Sequence, residues 1–101
     1  DLGTKLAEYV LNLTHRDGRH KARVFESVLG IAPSNREVLE RAIEAAVVHS
    51  DAAEARGDNG HGVQYVLRVP VQTAKGSAVV LTAWIVRHGE DFPRLTTCYI
   101  V

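Results

Sequence analysis

The stretch Ser77–Val101, SAVVLTAWIVRHGEDFPRLTTCYIV, decides how this chain folds. It reads as two β-strands joined by the polar loop His88-Gly89-Glu90-Asp91-Phe92-Pro93. The first strand, Ala78–Arg87, is apolar at odd and even positions alike, the pattern of a central strand covered on both faces. The second, Arg94–Val101, is β-branched and aromatic and carries Thr97 and Tyr99 two residues apart, so that both side chains point to one face. The hairpin register stays open. A four-residue loop, Gly89–Phe92, puts Trp84 opposite Thr97. A five-residue loop, Gly89–Pro93, puts Arg87 on the Thr97/Tyr99 face and moves Trp84 to the other, since a slip of one residue inverts facing.

Working back from this hairpin, Ala74-Lys75-Gly76 is the turn that leads into its first strand, and Val63–Val71 is the strand before it. Pro70 suggests an edge position there, because proline donates no ladder hydrogen bond. Upstream the periodicity changes to that of helices. Leu2, Leu6, Tyr9, Val10 and Leu13 mark a short amphipathic helix, and Asp17-Gly18 marks a turn. A second helix is predicted from Arg19 to Leu29, with stripe Val24, Phe25, Val28 and Leu29 and with Gly30 as its stop. Lys21, four residues before Phe25, lies on that stripe. A third helix starts at Pro33, with Ser34 as cap and Glu37 completing a capping box, and buries Val38, Leu39, Ala42, Ile43, Ala46 and Val47. The Ala-rich run after Ser50 extends it as far as Gly57-Asp58-Asn59-Gly60. The order is α-α-α-β-β-β: an α+β fold with N-terminal helices packed on one face of a C-terminal antiparallel sheet.

A chain of 101 residues forms one domain, residues 1–101. With no Met and with Asp1 at its start, it is expected to be the C-terminal part of a longer protein. No apolar run approaches the ~20 residues of a spanning helix. Cys98 is the only cysteine, so no internal disulfide forms, and no carboxylate or thiol set accompanies the histidines at metal-ligand spacing. Neither a metal nor another cofactor is expected. Net charge is zero, but residues 14–24 hold Arg16, Arg19, Lys21 and Arg23 against Asp17, a local +3. Residues 34–58 hold six acids against three arginines, a local −3.

There is no Gly-rich phosphate loop and no nucleophile elbow. The remaining inventory of His, Lys, Arg, Thr and Tyr suits metal-independent RNA cleavage. That reaction needs a base for the ribose 2′-hydroxyl, an acid for the leaving 5′-oxygen, and donors around the phosphate. His15, or else His20, is the candidate for proton transfer, histidine being the side chain suited to acid–base work near neutral pH. Lys21, Arg87 and Arg94 suit phosphate binding, and Thr97 and Tyr99 suit hydrogen bonding to it. Each residue also has a structural role open to it: Lys21 as a snorkelling stem, Trp84 and Tyr99 as packing, Arg94 as an edge cap, and His15, His20 and His88 as solvated loop residues.

Four segments together resemble a known family: Tyr9-Val-Leu-Asn12; His15…Gly18-x-x-Lys21-Ala22-x-x-Phe25…Leu29-Gly30; Gly62-x-x-Tyr65; and Trp84-Ile-Val…Gly89…Pro93-Arg94-Leu95-x-Thr97-x-Tyr99. This is a small bacterial domain of uncharacterised function, found alone and at the C-termini of polymorphic and contact-dependent-inhibition toxins. Modules of this layout are similar to the barnase/EndoU/colicin/RelE (BECR) ribonucleases. Ile100 stands where the family usually has Pro. The resemblance implies a secreted or surface-delivered toxin effector that cleaves tRNA or another structured RNA in the target-cell cytoplasm. Such an effector has a cognate immunity protein as partner. His15, Lys21, Thr97 and Tyr99 would be its catalytic set, with Arg19, His20, Arg87, Arg94 and Trp84 binding RNA. The competing expectation is a non-catalytic protein-binding α+β module.

Overall fold

The computed structural model describes residues 19–48 and 50–101. Over this span the chain is α+β, with two helices on one face of a four-stranded antiparallel sheet of order β1-β2-β3-β4. Helix α1 runs from Arg19 to Leu29, its last turn, Phe25–Leu29, being π-helical. Helix α2 is Glu37–Val47, and the strands are β1 Glu54–Asp58, β2 Gly62–Gln72, β3 Ser77–Arg87 and β4 Arg94–Ile100. The helix expected over Leu2–Leu13 lies outside the described residues.

Helix α1 stops where expected. Gly30 takes a left-handed conformation (φ 68°), which a residue with a Cβ adopts only under strain, and Ile31 N–H bonds back to Phe25 O at 3.2 Å. The β2–β3 turn completes the cap: Thr73 Oγ1 donates to Leu29 O at 2.7 Å, and Lys75 Nζ donates to Glu26 O at 3.1 Å. The buried stripe is Ala22, Phe25 and Leu29, whereas Val24 and Val28 face outward. The wider π turn rotates Val28 away from the core.

Helix α2 starts later than its sequence suggests. Pro33–Asn35 forms a separate 3-10 turn, and Ser34 caps nothing. Asn35 works instead: its Oδ1 accepts from Ala32 N–H at 2.7 Å and its Nδ2 donates to Gly30 O at 3.0 Å. The helix ends at Val47, and the segment expected to prolong it contains β1. That strand, Glu-Ala-Arg-Gly-Asp, is exposed at every position and has no apolar alternation to betray it. It adds a fourth strand to the three expected.

β2 is thus an inner strand, but β1 pairs only with Val63–Val66 of it, so among the described residues Pro70 still sits on a flank without a partner strand. Register assigns the faces. Leu67, Val69 and Val71 of β2 lie opposite Thr82, Val80 and Ala78 of β3, and Cys98 of β4 lies opposite Thr82. These pack with Phe25, Leu29, Ile31, Leu39 and Ile43 of the helical layer into one core. Thr82 is the buried polar residue on this face, satisfied by donating to Leu67 O at 2.7 Å and accepting from Trp84 Nε1 at 2.8 Å.

Candidate functional site

Neither simple hairpin register is realised. Trp84 pairs with Leu95 and Ile85 with Arg94, but Ala83 pairs with Thr97, so Thr96 forms a bulge. Its hydroxyl anchors the bulge by donating to Ala83 O at 3.0 Å. The facing follows from the extra residue. Thr97 and Tyr99 lie with Leu81 and Ala83 on the sheet face opposite the core, and by strand alternation Arg87 and Arg94 share that face. Trp84 does not: it lies on the helical face beside Tyr65 and Leu67. There, with Val47, Val86 and Pro93, it lines an apolar groove of about 270 Å³. Its ring is thereby kept from the Thr97/Tyr99 face, so of the two facings the sequence leaves open the structure takes the one that gives Arg87 to that face, and Trp84, expected among the RNA-binding residues, stands apart from it.

Helix α1 runs beside the β4 edge, and Lys21 reaches round it. Its Nζ donates to Thr97 Oγ1 at 3.3 Å and sits 5.2 Å from the centroid of the Tyr99 ring. This is both a hydrogen bond and a cation–π contact. All three residues are half-buried. The helical and sheet halves of the chain, 76 residues apart in sequence, are joined here by one ammonium group. Ala22, the next residue along the helix, is buried, so Lys21 leaves the helix beside a covered position.

The other expected residues are distributed around this point. His20 is exposed on α1, and Arg19 opens that helix. His15 lies outside the described residues. Arg87 is exposed at the end of β3. Arg94 is committed: it donates to both Glu90 oxygens at 2.9 and 2.8 Å, and its guanidinium stacks 4.9 Å from the Phe92 ring centre. The fork of hydrogen bonds from Arg94 holds the Glu90 carboxyl below the usual carboxylate range.

Some features gave little signal in the sequence. His88 Nε2 meets Asp58 Oδ2 at 2.6 Å across the sheet end, and this bond, with the Gly60 N–H, lowers the Asp58 pKa. The partners are thirty positions apart, one at the end of β1 and the other in the β3–β4 turn. The Glu90–Phe92–Arg94 cluster did leave a trace, an acid and a base four apart with an aromatic between, but only inside a hairpin do these residues converge. Among the described residues, no group of three or more His, Cys, Asp or Glu side chains comes together as a metal site would need.

Chemically, the Lys21 site offers a compact point charge and two hydroxyls on one surface. Thr97 accepts from Lys21 and keeps its own O–H free to donate. Such a set suits an oxyanion with several acceptor oxygens, a phosphate above all. No curated protein sequence and no solved structure matches the chain. A family model does match, over residues 3–101, and the chain belongs to the family it describes, DUF6883, a domain of unknown function.

Proposed function

We propose that this domain is a toxin effector that cleaves RNA without a metal ion, with Lys21, Thr97 and Tyr99 holding the scissile phosphate. One observation carries the reading: a lysine of the helical layer converges with the Thr-x-Tyr pair of β4 on the outer sheet face. The sequence resemblance to toxin modules supports the same reading, and tRNA or another structured RNA is the substrate class it implies.

In the reaction the ribose 2′-oxygen attacks phosphorus, the P–O5′ bond breaks, and a 2′,3′-cyclic phosphate forms. The 2′-hydroxyl proton leaves to a base, and the departing 5′-oxygen gains one from an acid. His15 is assigned to proton transfer, with His20, exposed one residue before Lys21, as the alternative. Lys21 balances charge on the non-bridging oxygens, and the Thr97 and Tyr99 hydroxyls donate to them. Arg19, Arg87 and Arg94 bind flanking phosphates. A cognate immunity protein that meets the basic 14–24 segment with an acidic surface would close the site. Delivery as part of a larger toxin places the action in the target-cell cytoplasm.

The test is incubation of the domain with total tRNA in EDTA. Discrete fragments are expected. Lys21→Ala should lower the rate by about 10²-fold or more, the effect of losing one donor to an anionic transition state, while the far-UV spectrum stays native. Intact RNA at high protein concentration, in EDTA and in magnesium alike, would overturn the proposal. It would favour the non-catalytic protein-binding module instead, for which the apolar groove beside Trp84 is the supporting observation.

A further inference from the structure

Phe92 stands at the tip of the β3–β4 hairpin with 46% of its surface exposed. The turn does not need it. Gly89, at φ 83°, and the Glu90 N–H bond to Arg87 O at 2.9 Å shape the loop. The ring is held rather than buried, with the Arg94 guanidinium 4.9 Å from its centre and Glu90 locking Arg94 through two hydrogen bonds. An aromatic ring fixed in this way presents a flat apolar surface to solvent, at a hydration cost that burial would have avoided.

Register ties this tip to the Lys21 site. Thr97 lies opposite Ala83 and Arg94 opposite Ile85, so their rows are one same-face step apart, about 6.6 Å along the strand. Arg87 stands one further step along the same face. Thr97, Arg94 and Arg87 therefore form a graded row of polar and cationic groups, with a repeat comparable to that of successive nucleotides in an extended strand. Ile85, in register between Gln64 and Arg94, is buried and gives the row an apolar floor.

We propose that the Glu90–Phe92–Arg94 tip is a base-stacking subsite for single-stranded RNA, taking the nucleotide that flanks the phosphate held at Lys21. The proposal rests on the ribonuclease reading for the identity of its ligand. A base stacks on the free surface of Phe92, so that the ring lies between base and guanidinium. The flanking phosphate competes with the Glu90 carboxylate for the Arg94 fork, because both are bidentate acceptors. Bases in a duplex are already stacked and cannot reach the ring, so the subsite selects unpaired segments such as loops and ends.

Binding and cleavage are measured separately. A fluorescein-labelled hexanucleotide with 2′-O-methyl riboses, which lacks the attacking hydroxyl, is titrated with the domain and followed by anisotropy. Phe92→Ala should weaken binding on the order of tenfold, the size of one lost base–aromatic stack. Phe92→Trp should retain binding, and annealing the oligonucleotide into a duplex should weaken it by a similar factor. With cleavable RNA, the rate advantage of a hexanucleotide over a dinucleotide should vanish in Phe92→Ala while the dinucleotide rate stays unchanged. Equal binding by wild type and Phe92→Ala would overturn the subsite even where RNA is cut. Stacking-dependent binding without any cleavage would support the subsite and remove the ribonuclease reading. No binding of either oligonucleotide form would overturn both.

Discussion

The sheet has two edges, and they are built alike but covered differently. β1 and β4 are both short, both bulged and each paired to one neighbour. β1 is exposed along its whole length and holds its side chains in water through Glu54, Arg56 and Asp58. β4 has helix α1 beside it, buries Cys98 completely, and has the Lys21 ammonium drawn onto its Thr97 and Tyr99 side chains. An edge strand ordinarily needs protection from pairing with another chain, and charge is the usual means. β1 follows that practice. β4 is protected by a helix instead, and its outward Thr97 and Tyr99 meet a cation from that helix.

The largest effect on this contrast should come from removing what holds the helix down. Phe25 is fully buried in the core that also contains Cys98. Phe25→Ala should cost about 3–5 kcal/mol, the usual range for emptying a buried aromatic site, as read by urea unfolding. Below the unfolding transition it should also make the Cys98 thiol reactive to a disulfide reagent. A loss under about 1 kcal/mol would mean that α1 does not set the β4 edge apart.

An effect confined to alkaline pH comes from Cys98 itself. Burial pushes its thiol from an ordinary 9.0 up to about 12, with nearby Lys21 pulling the other way. Between these values the unfolded chain has given up the proton while the folded chain keeps it. Stability is therefore complete below about pH 9 and falls as pH rises towards 12, by at most about 1.4 kcal/mol per unit. Cys98→Ala should flatten that slope. An unchanged slope in the variant would show that the thiol is not what titrates.

The same contrast explains which parts of the fold were legible in the sequence. Both strands of the C-terminal hairpin stand out because they bury side chains, and burial imposes a pattern on composition. Gly30 stands out because a left-handed helix stop needs it. β1 is invisible, since Glu54-Ala55-Arg56 are residues that any exposed helix could hold, Gly57-Asp58 read as a helix stop, and the strand is kept in place through its backbone. The bulge at Thr96 is invisible for a related reason: it inserts one residue without altering the apolar pattern on either side. Lys21 and Thr97 were each legible as candidates, but their meeting depends on how α1 crosses the β4 edge. Phe92 and Glu90 read only as parts of a polar loop, because nothing short of the closed hairpin brings them to Arg94.

The smallest effect is expected on the other edge. Glu54 joins Arg56 at 3.0 Å and Arg68 at 3.3 Å, and side chains of all three are about half exposed. Charges of this kind are screened by water and gain little over their hydrated state. Glu54→Gln should therefore change the unfolding free energy by less than about 0.5 kcal/mol, and 1 M salt should erase the difference. The substitution does remove an acid from the exposed flank of β1, so the variant should show a greater tendency to associate at high concentration, visible in light scattering. A loss above about 1 kcal/mol would exceed what an exposed pair supplies. It would mean that β1, like β4, is held by its side chains, and the distinction between a charge-guarded edge and a helix-covered edge would fail on the β1 side.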